Sequence, residues 1–377
     1  MNRLKYILMV VALMAATIIV DAAEVMPPDS VLRRYAAQML MVGFRGDEVN
    51  DTCDAARYVR DLKVGAIILF DVDLTGSATI GSRNVTSKER LIKMTRQLHD
   101  WADYPLIIAL DQEGGRVARL KPQYGYQPTV SAAFLGRTDC EDTTRYYAQR
   151  IAFEVAQSGV NVNLAPVVDV FNPNNPGLGK LDRCFSRDTE VIARHAGWFI
   201  DEHHKQGVLC ALKHFPGHGN ALNDSHWGFV DVTNTWQESE LEPFQKLIAS
   251  GDADLIMTAH ILNRQLDPDL PATLSHKVLT ELLRDKMGYE GVIVTDDMYM
   301  QGIIDNYSVE NAIVMAINAG ADMICVGNNI STGFEANRPQ RLVEVIVSAI
   351  KDGRLSLQRI MESNARIARL QRRLIKE

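Results

Sequence analysis

Cysteine is scarce and poorly spaced for its usual structural roles. The five present (Cys53, Cys140, Cys184, Cys210, Cys325) include no C-x-x-C pair and make an odd total. At least one therefore stays unpaired within a monomer, and a zinc site built from cysteine is not expected. Cys210 and Cys325 sit inside apolar runs and read as small core residues, leaving Cys53, Cys140 and Cys184 for at most one disulfide. A surplus of positive charge is also missing. Lys+Arg 40 against Asp+Glu 47 gives a formal charge of −7, which disfavours a nucleic-acid-binding surface. No short-period repeat and no Pro/Gly/Ser-rich linker interrupts the chain, and 25 Gly with 13 Pro exclude a collagen-like or low-complexity composition. What remains, 46% hydrophobic against 23% charged over 377 residues, is ordinary for a globular enzyme of one large domain or two smaller ones.

The amino terminus stands apart. Arg3 and Lys5 precede an apolar run from Tyr6 to Val20, and Val20-Asp21-Ala22 offers small residues at cleavage spacing. This is the pattern of a secretory signal peptide over residues 1–22, and the run is short for a membrane span of about 20 residues. The expectation is export to the periplasm or beyond, with an uncleaved N-terminal anchor as the alternative. No cysteine lies near the cleavage point to take a lipid.

From residue 30 to the end, short apolar runs rich in β-branched residues alternate with longer amphipathic stretches. The runs are 38–44, 65–70, 105–110, 160–169, 208–215, 253–260, 291–297 and 321–327. Helical periodicity falls near 87–103, 141–158, 187–206, 238–250, 274–287 and 309–319, then continuously over about 338–373. Fully apolar strands alternating with helices predict a parallel sheet covered on both faces, and eight such units fit a single (β/α)8 TIM-type barrel over residues 30–377. An open doubly wound sheet is the structural alternative.

In a barrel, function gathers where the strands end. There the sequence reads Asp111-Gln112-Glu113, Lys213-His214, His260, Asp296-Asp297 and Gly327-Asn328-Asn329, with Arg183 in the loop after the fourth run. Any one of these is equally a solvated strand end or a structural ion pair. Together they predict a shared polar pocket.

The densest stretch, KHFPGHGNALNDSHWG (213–228), holds three of the nine histidines, His214, His218 and His226. Its prolines and glycines make it a shaped loop. His and Asp are good zinc ligands, but the spacings fit no common pattern and Lys213 would oppose a cation, so no metal is expected. Acid–base chemistry is the better reading. Asp224 lies two residues before His226 and can orient its imidazole, which titrates near neutrality; Asp296 would be the partner carboxylate. Lys213, Arg119 and Arg183 supply fixed donors for a hydroxyl-rich or anionic ligand. Trp227, which follows the pair, either stacks on a sugar or packs the loop.

LDQEGGRVARL (110–120), DRCFSRD (182–188), KHFPGHGNALNDSH (213–226) and GVIVTDDMYM (291–300) resemble the bacterial β-N-acetylglucosaminidases of glycoside hydrolase family 3, the NagZ-like group. The resemblance covers residues 30 to about 330 and implies a (β/α)8 barrel with a retaining mechanism on terminal β-linked N-acetylglucosamine, with no metal or organic cofactor. By motif position it implies Asp296 as nucleophile, with Asp297 not catalytic, and His226 as general acid/base partnered by Asp224. It implies sugar contacts at Asp111, Arg119, Arg183, Lys213 and His214. The related β-glucosidases of the family place a Glu acid/base in a second domain, whereas this chain has the D-S-H loop. His226 departs from the usual carboxylate pair, and a neutral-to-cationic acid/base avoids like-charge repulsion beside Asp296. It also leaves phosphorolysis open beside hydrolysis. The other readings are a β-glucosidase, a metal-dependent hydrolase using the three histidines, and a catalytically silent carbohydrate-binding barrel. With an export signal, peptidoglycan turnover or scavenging of N-acetylglucosamine glycans fits better than cytosolic recycling.

Overall fold

The computed structural model describes residues 26–74, 78–223, 230–330 and 333–375. The expected leader, 1–22, lies outside them, as do Asp224, His226 and Trp227.

Each of the eight apolar runs contains a strand: β1 (Leu40–Gly43), β2 (Ala66–Ile68), β3 (Ile107–Leu110), β4 (Val162–Asn163), β5 (Leu209–Phe215), β6 (Leu255–Thr258), β7 (Val292–Val294) and β8 (Ile324–Val326). They form one parallel sheet in the order β7-β6-β5-β4-β3-β2-β1-β8. A parallel bridge between Val294 and Met323, with Thr295 N donating to Met323 O at 2.9 Å, brings the two edges together into a nearly closed barrel. The open doubly wound sheet is thereby set aside. Every residue of the eight strands is buried. That is why their sequences are continuous apolar runs rather than alternating patterns. Backbones approach closely where the sheet closes: a Cβ at Gly43 would lie 2.0 Å from the carbonyl oxygen of Gly327.

Helices cover the outside: α1 (Asp29–Gln38), α2 (Lys88–Trp101), α3 (Glu141–Gln157), α4 (Thr189–Lys205), α5 (Glu242–Ser250), α6 (Lys277–Lys286), α7 (Val309–Ala319), α8 (Arg338–Lys351) and α9 (Leu357–Arg372). Side-chain caps start several of them, such as Ser87 Oγ accepting from Arg90 N at 3.2 Å and Asp188 Oδ1 accepting from Glu190 N at 2.8 Å. The continuous helix expected over 338–373 is two helices. Gly353, at φ +79°, takes the left-handed conformation that ends α8, and Ser356 caps the start of α9. Among the described residues no helix is long and apolar enough to cross a membrane.

The amino-terminal ends of the strands are closed by carboxylates with structural duties. Asp322, whose side chain is fully buried, pairs with Arg284, with Arg359 at 3.1 Å and with Arg366 at 3.4 Å, so α9 is clamped across this end of the barrel. Asp254 Oδ2 takes His204 Nε2 at 2.7 Å and Cys210 N at 2.8 Å. All five cysteines are unpaired, so the one disulfide that the sequence left open does not form; Cys184, Cys210 and Cys325 are buried.

Candidate active site

At the opposite end of the barrel, a chain of alternating charges crosses the strand tips. Asp111, one residue past β3, accepts from Arg119 Nη2 and from Lys213 Nζ, both at 2.9 Å. Lys213, on β5 with its side chain 2% exposed, also meets Glu113 Oε1 at 2.7 Å. Glu113 in turn is gripped by Arg183, Nε to Oε2 and Nη2 to Oε1, each at 2.8 Å. In the other direction Arg119 lies 3.7 Å from Asp71, which is bound by Lys121 Nζ at 2.5 Å. Seven ionised side chains thus alternate in sign from Lys121 to Arg183.

The local sequence explains this placement. Residues Gln112–Gly114 and Val117–Ala118 form a small antiparallel hairpin turned by Gly114 (φ +99°) and Gly115 (φ +60°). The Gln112 side chain accepts from Arg119 N at 2.8 Å and Leu120 N at 2.9 Å, folding Arg119 back over Asp111. The hairpin turned by Gly114 and Gly115 thus returns the Arg119 guanidinium to Asp111, at the strand end that the chain had just left.

Pairing governs the electrostatics. Burial pushes the Glu113 carboxyl up, but the cations Arg183 and Lys213 outweigh it and hold it down at about 2. Asp111 is likewise lowered against its burial by Lys213 and Arg119, and burial of the Lys213 ammonium is outweighed by Asp111 and Glu113, which raise it. The sequence reading took Lys213, Arg119 and Arg183 as donors for a ligand. Each is already engaged by a carboxylate of the protein, because an unpaired cation buried this deeply would be costly. A ligand meets a charge-paired network with spare hydrogen-bond directions, since both ion types have more capacity than one partner fills. Glu113 was placed by sequence at the shared pocket but given no individual role, and Asp71 was not singled out. The doubled Gly after Glu113 was the available signal.

His214 N donates to Asp169 Oδ2 at 3.1 Å, and His214 Nδ1 lies 2.7 Å from the same oxygen. His218 N donates to Asp169 Oδ1 at 2.6 Å, while neither ring nitrogen of His218 has a hydrogen-bond partner among the described residues. Burial pulls the His218 imidazole down to about 4, so it is neutral. No group of three or more His, Cys, Asp or Glu among the described residues is arranged to hold a metal ion.

Asp296 follows β7 by two residues and is partly exposed; its Oδ1 accepts from Asp297 N at 2.8 Å. Asp297 points elsewhere. Its Oδ1 accepts from Tyr299 N at 3.0 Å and its Oδ2 from Gly327 N at 3.2 Å. Burial, joined by the charge of Asp296, pushes the Asp297 carboxyl up to about 6. His260 is a strut: Nδ1 meets Thr273 Oγ1 at 2.9 Å and Nε2 the carbonyl of Asp297 at 3.0 Å. Asn329 likewise ties the rim, accepting from Leu74 N at 2.8 Å and from the fully buried Arg83 at 3.0 Å. The structure therefore brings Asp111, Arg119, Arg183 and Lys213 into one network and sets His214 beside it on β5. Asp224 and His226 lie outside the described residues.

A parallel barrel with ionisable groups massed at the carboxyl ends of its strands has the layout used by barrel enzymes. The chain belongs to glycosyl hydrolase family 3: residues 31–370 match the family's N-terminal domain. It is 33% identical over 367 residues to a beta-hexosaminidase A of Pseudoalteromonas piscicida, covering 89% of this chain and 60% of that protein. It is 33% identical over 293 residues to a beta-hexosaminidase of Tolumonas auensis, covering 77% of this chain and 83% of the relative. Among solved structures, it resembles the family 3 beta-N-acetylglucosaminidase of Paenibacillus sp. str. FPU-7, with TM-score 0.81, 34% identity, and coverage of 91% of this chain and 62% of that one. The beta-N-acetylhexosaminidase of Beutenbergia cavernae superposes with TM-score 0.78 at 26% identity, covering 90% and 98%. The chain thus spans less than two thirds of the Pseudoalteromonas and Paenibacillus proteins and nearly all of the Beutenbergia one.

Proposed function

We propose that this protein is a β-N-acetylhexosaminidase that releases terminal β-linked N-acetylglucosamine with retention of configuration. The observation that carries the reading is Asp296, a partly exposed carboxylate at the tip of β7, on the same barrel end as a charge-paired network able to hydrogen-bond a sugar's hydroxyls. The names of the relatives agree with it. Asp111, Arg119, Arg183, Lys213 and His214 hold the terminal sugar, and the whole barrel from residue 30 onward forms the catalytic (β/α)8 domain.

In this mechanism an Asp296 oxygen attacks the anomeric carbon as the glycosidic C–O bond breaks. His226, oriented by Asp224, gives its proton to the departing oxygen. The same imidazole then takes a proton from water, whose oxygen displaces Asp296 and frees the sugar. No cofactor enters either step. The apolar leader directs the chain out of the cytoplasm, where peptidoglycan fragments or other N-acetylglucosamine glycans are the substrates.

The test is an assay of residues 23–377 on aryl N-acetyl-β-glucosaminide and aryl β-glucoside, with and without phosphate, beside Asp296→Asn. Release from the N-acetyl substrate alone, indifferent to phosphate and lost in the variant, is the expected result. Phosphate-dependent turnover makes the protein a phosphorylase, and an unaffected variant removes Asp296 from the chemistry.

A further inference from the structure

The groups of the network divide by role. Lys213, Arg119 and Arg183 are donors only, and the carboxylates of Asp111 and Glu113 already accept from those cations, which leaves them part of their acceptor capacity. A sugar hydroxyl both donates and accepts, so a further neutral acceptor at the strand tips gives the site one more hydroxyl to read. His214 is placed to be one. Its Nδ1 contacts Asp169 Oδ2 at 2.7 Å, its side chain is 10% exposed, and Nε2 has no hydrogen-bond partner among the described residues.

The Asp169 side chain is fully buried at the end of the fourth apolar run, where its two oxygens receive the backbone N–H groups of His214 and His218 and meet His214 Nδ1 at 2.7 Å. A carboxylate in such a place only accepts. The proton on the His214 ring must therefore sit on Nδ1, because placing it on Nε2 would face two lone pairs across 2.7 Å. We propose that Asp169 is a positioning residue that fixes His214 as the Nδ1–H tautomer, so that Nε2 offers the barrel mouth a lone pair for the proton of a sugar hydroxyl. This deepens the reading of the mouth as a sugar site and rests on it. The neighbouring ring of His218, 5.9 Å away between centroids, has no hydrogen-bond partner among the described residues and supplies no competing donor to Asp169 beyond its backbone. The specificity that follows is for a free hydroxyl at this position: a sugar deoxygenated or O-methylated there leaves Nε2 facing nothing it can accept from.

The tautomer is directly readable in the unaltered protein. With 15N-labelled histidine, long-range nitrogen–proton correlation distinguishes protonated Nδ1 from protonated Nε2 in a neutral ring, and His214→Gln identifies the His214 signals by their loss. The expected spectrum has the proton on Nδ1; a neutral His214 protonated at Nε2 overturns the proposal. Asp169→Asn, which can place an amide N–H against Nδ1, is expected to move the proton to Nε2 and to raise KM for aryl N-acetyl-β-glucosaminide at least tenfold with a smaller change in kcat. A shifted tautomer with unchanged KM also overturns it. Should the variant fail to fold, the spectrum of the unaltered protein still decides. An enzyme that shows the Nδ1–H spectrum but does not cleave the N-acetyl substrate places the failure in the functional reading instead.

Discussion

Arg183 meets Glu113 through two parallel hydrogen bonds, Nε to Oε2 and Nη2 to Oε1, each 2.8 Å long, across 70 residues of sequence. Both side chains are nearly buried, and the fork geometry leaves Oε1 to serve Lys213 as well. The contact joins the tip of β3 to the loop after β4 and, through Lys213, to β5.

Replacing Glu113 therefore strips two cations of a shared counter-charge. Glu113→Gln is expected to lower kcat/KM by about 10²-fold and to destabilise the fold by about 3 kcal/mol, as breaking one member of a buried ion pair does. Steady-state kinetics and urea unfolding measure the two effects. Unchanged kinetics with lost stability would make the residue a scaffold alone.

The two neighbouring aspartates are expected to separate sharply. Asp296→Asn loses at least about 10³-fold in kcat with a much smaller loss of stability, because its carboxylate is partly exposed and the amide oxygen can still accept from Asp297 N. Asp297→Asn disturbs the backbone N–H groups of Tyr299 and Gly327, so it costs stability first and loses far less kcat. Comparable kcat losses in the two variants would count against Asp296 as the nucleophile.

Glu240 carries a pH signature. It accepts from Gly219 N and Asn220 Nδ2, both at 3.0 Å, and burial, aided by the charge of Asp169, pushes its carboxyl up to about 7. The fold thus binds this proton more tightly than the unfolded chain does. Its stabilising contribution is fully present below the ordinary glutamate value and is lost as pH rises through about 7. Glu240→Gln, neutral throughout, should gain stability relative to the parent between pH 5 and 8, by up to roughly 3 kcal/mol. Denaturant midpoints across that range check the sign; a difference independent of pH would show that Glu240 stays ionised.

At the far end of the barrel, Asp322→Asn is expected to cost about 3–5 kcal/mol, because Arg284 and Arg359 lose a buried counter-charge. The kinetic constants of the folded enzyme should not move, since Asp322 closes the end opposite the strand tips. A changed KM in a fully folded variant would contradict that separation.

Some of this was legible residue by residue. Runs such as 105–110 and 291–297 announced buried parallel strands because a strand covered on both faces has no polar face to show. The sites at Asp111, Lys213 and Asp296 followed from where those runs stop. The break between α8 and α9 was missed because apolar periodicity continues across it and only the left-handed Gly353 marks the turn.

What the sequence by itself determined is therefore periodic or local: eight strands, their helices, and the ionisable groups at their ends. It also carried the four motifs that point to family 3. Pairing was decided only by tertiary structure. Glu113 finds Arg183, Asp169 finds His214, and Asp322 finds α9 across 37 to 70 residues, and no local pattern encodes such partners. Each partner is chosen by the cost of leaving a buried charge alone, and that cost exists only once the barrel has closed around it.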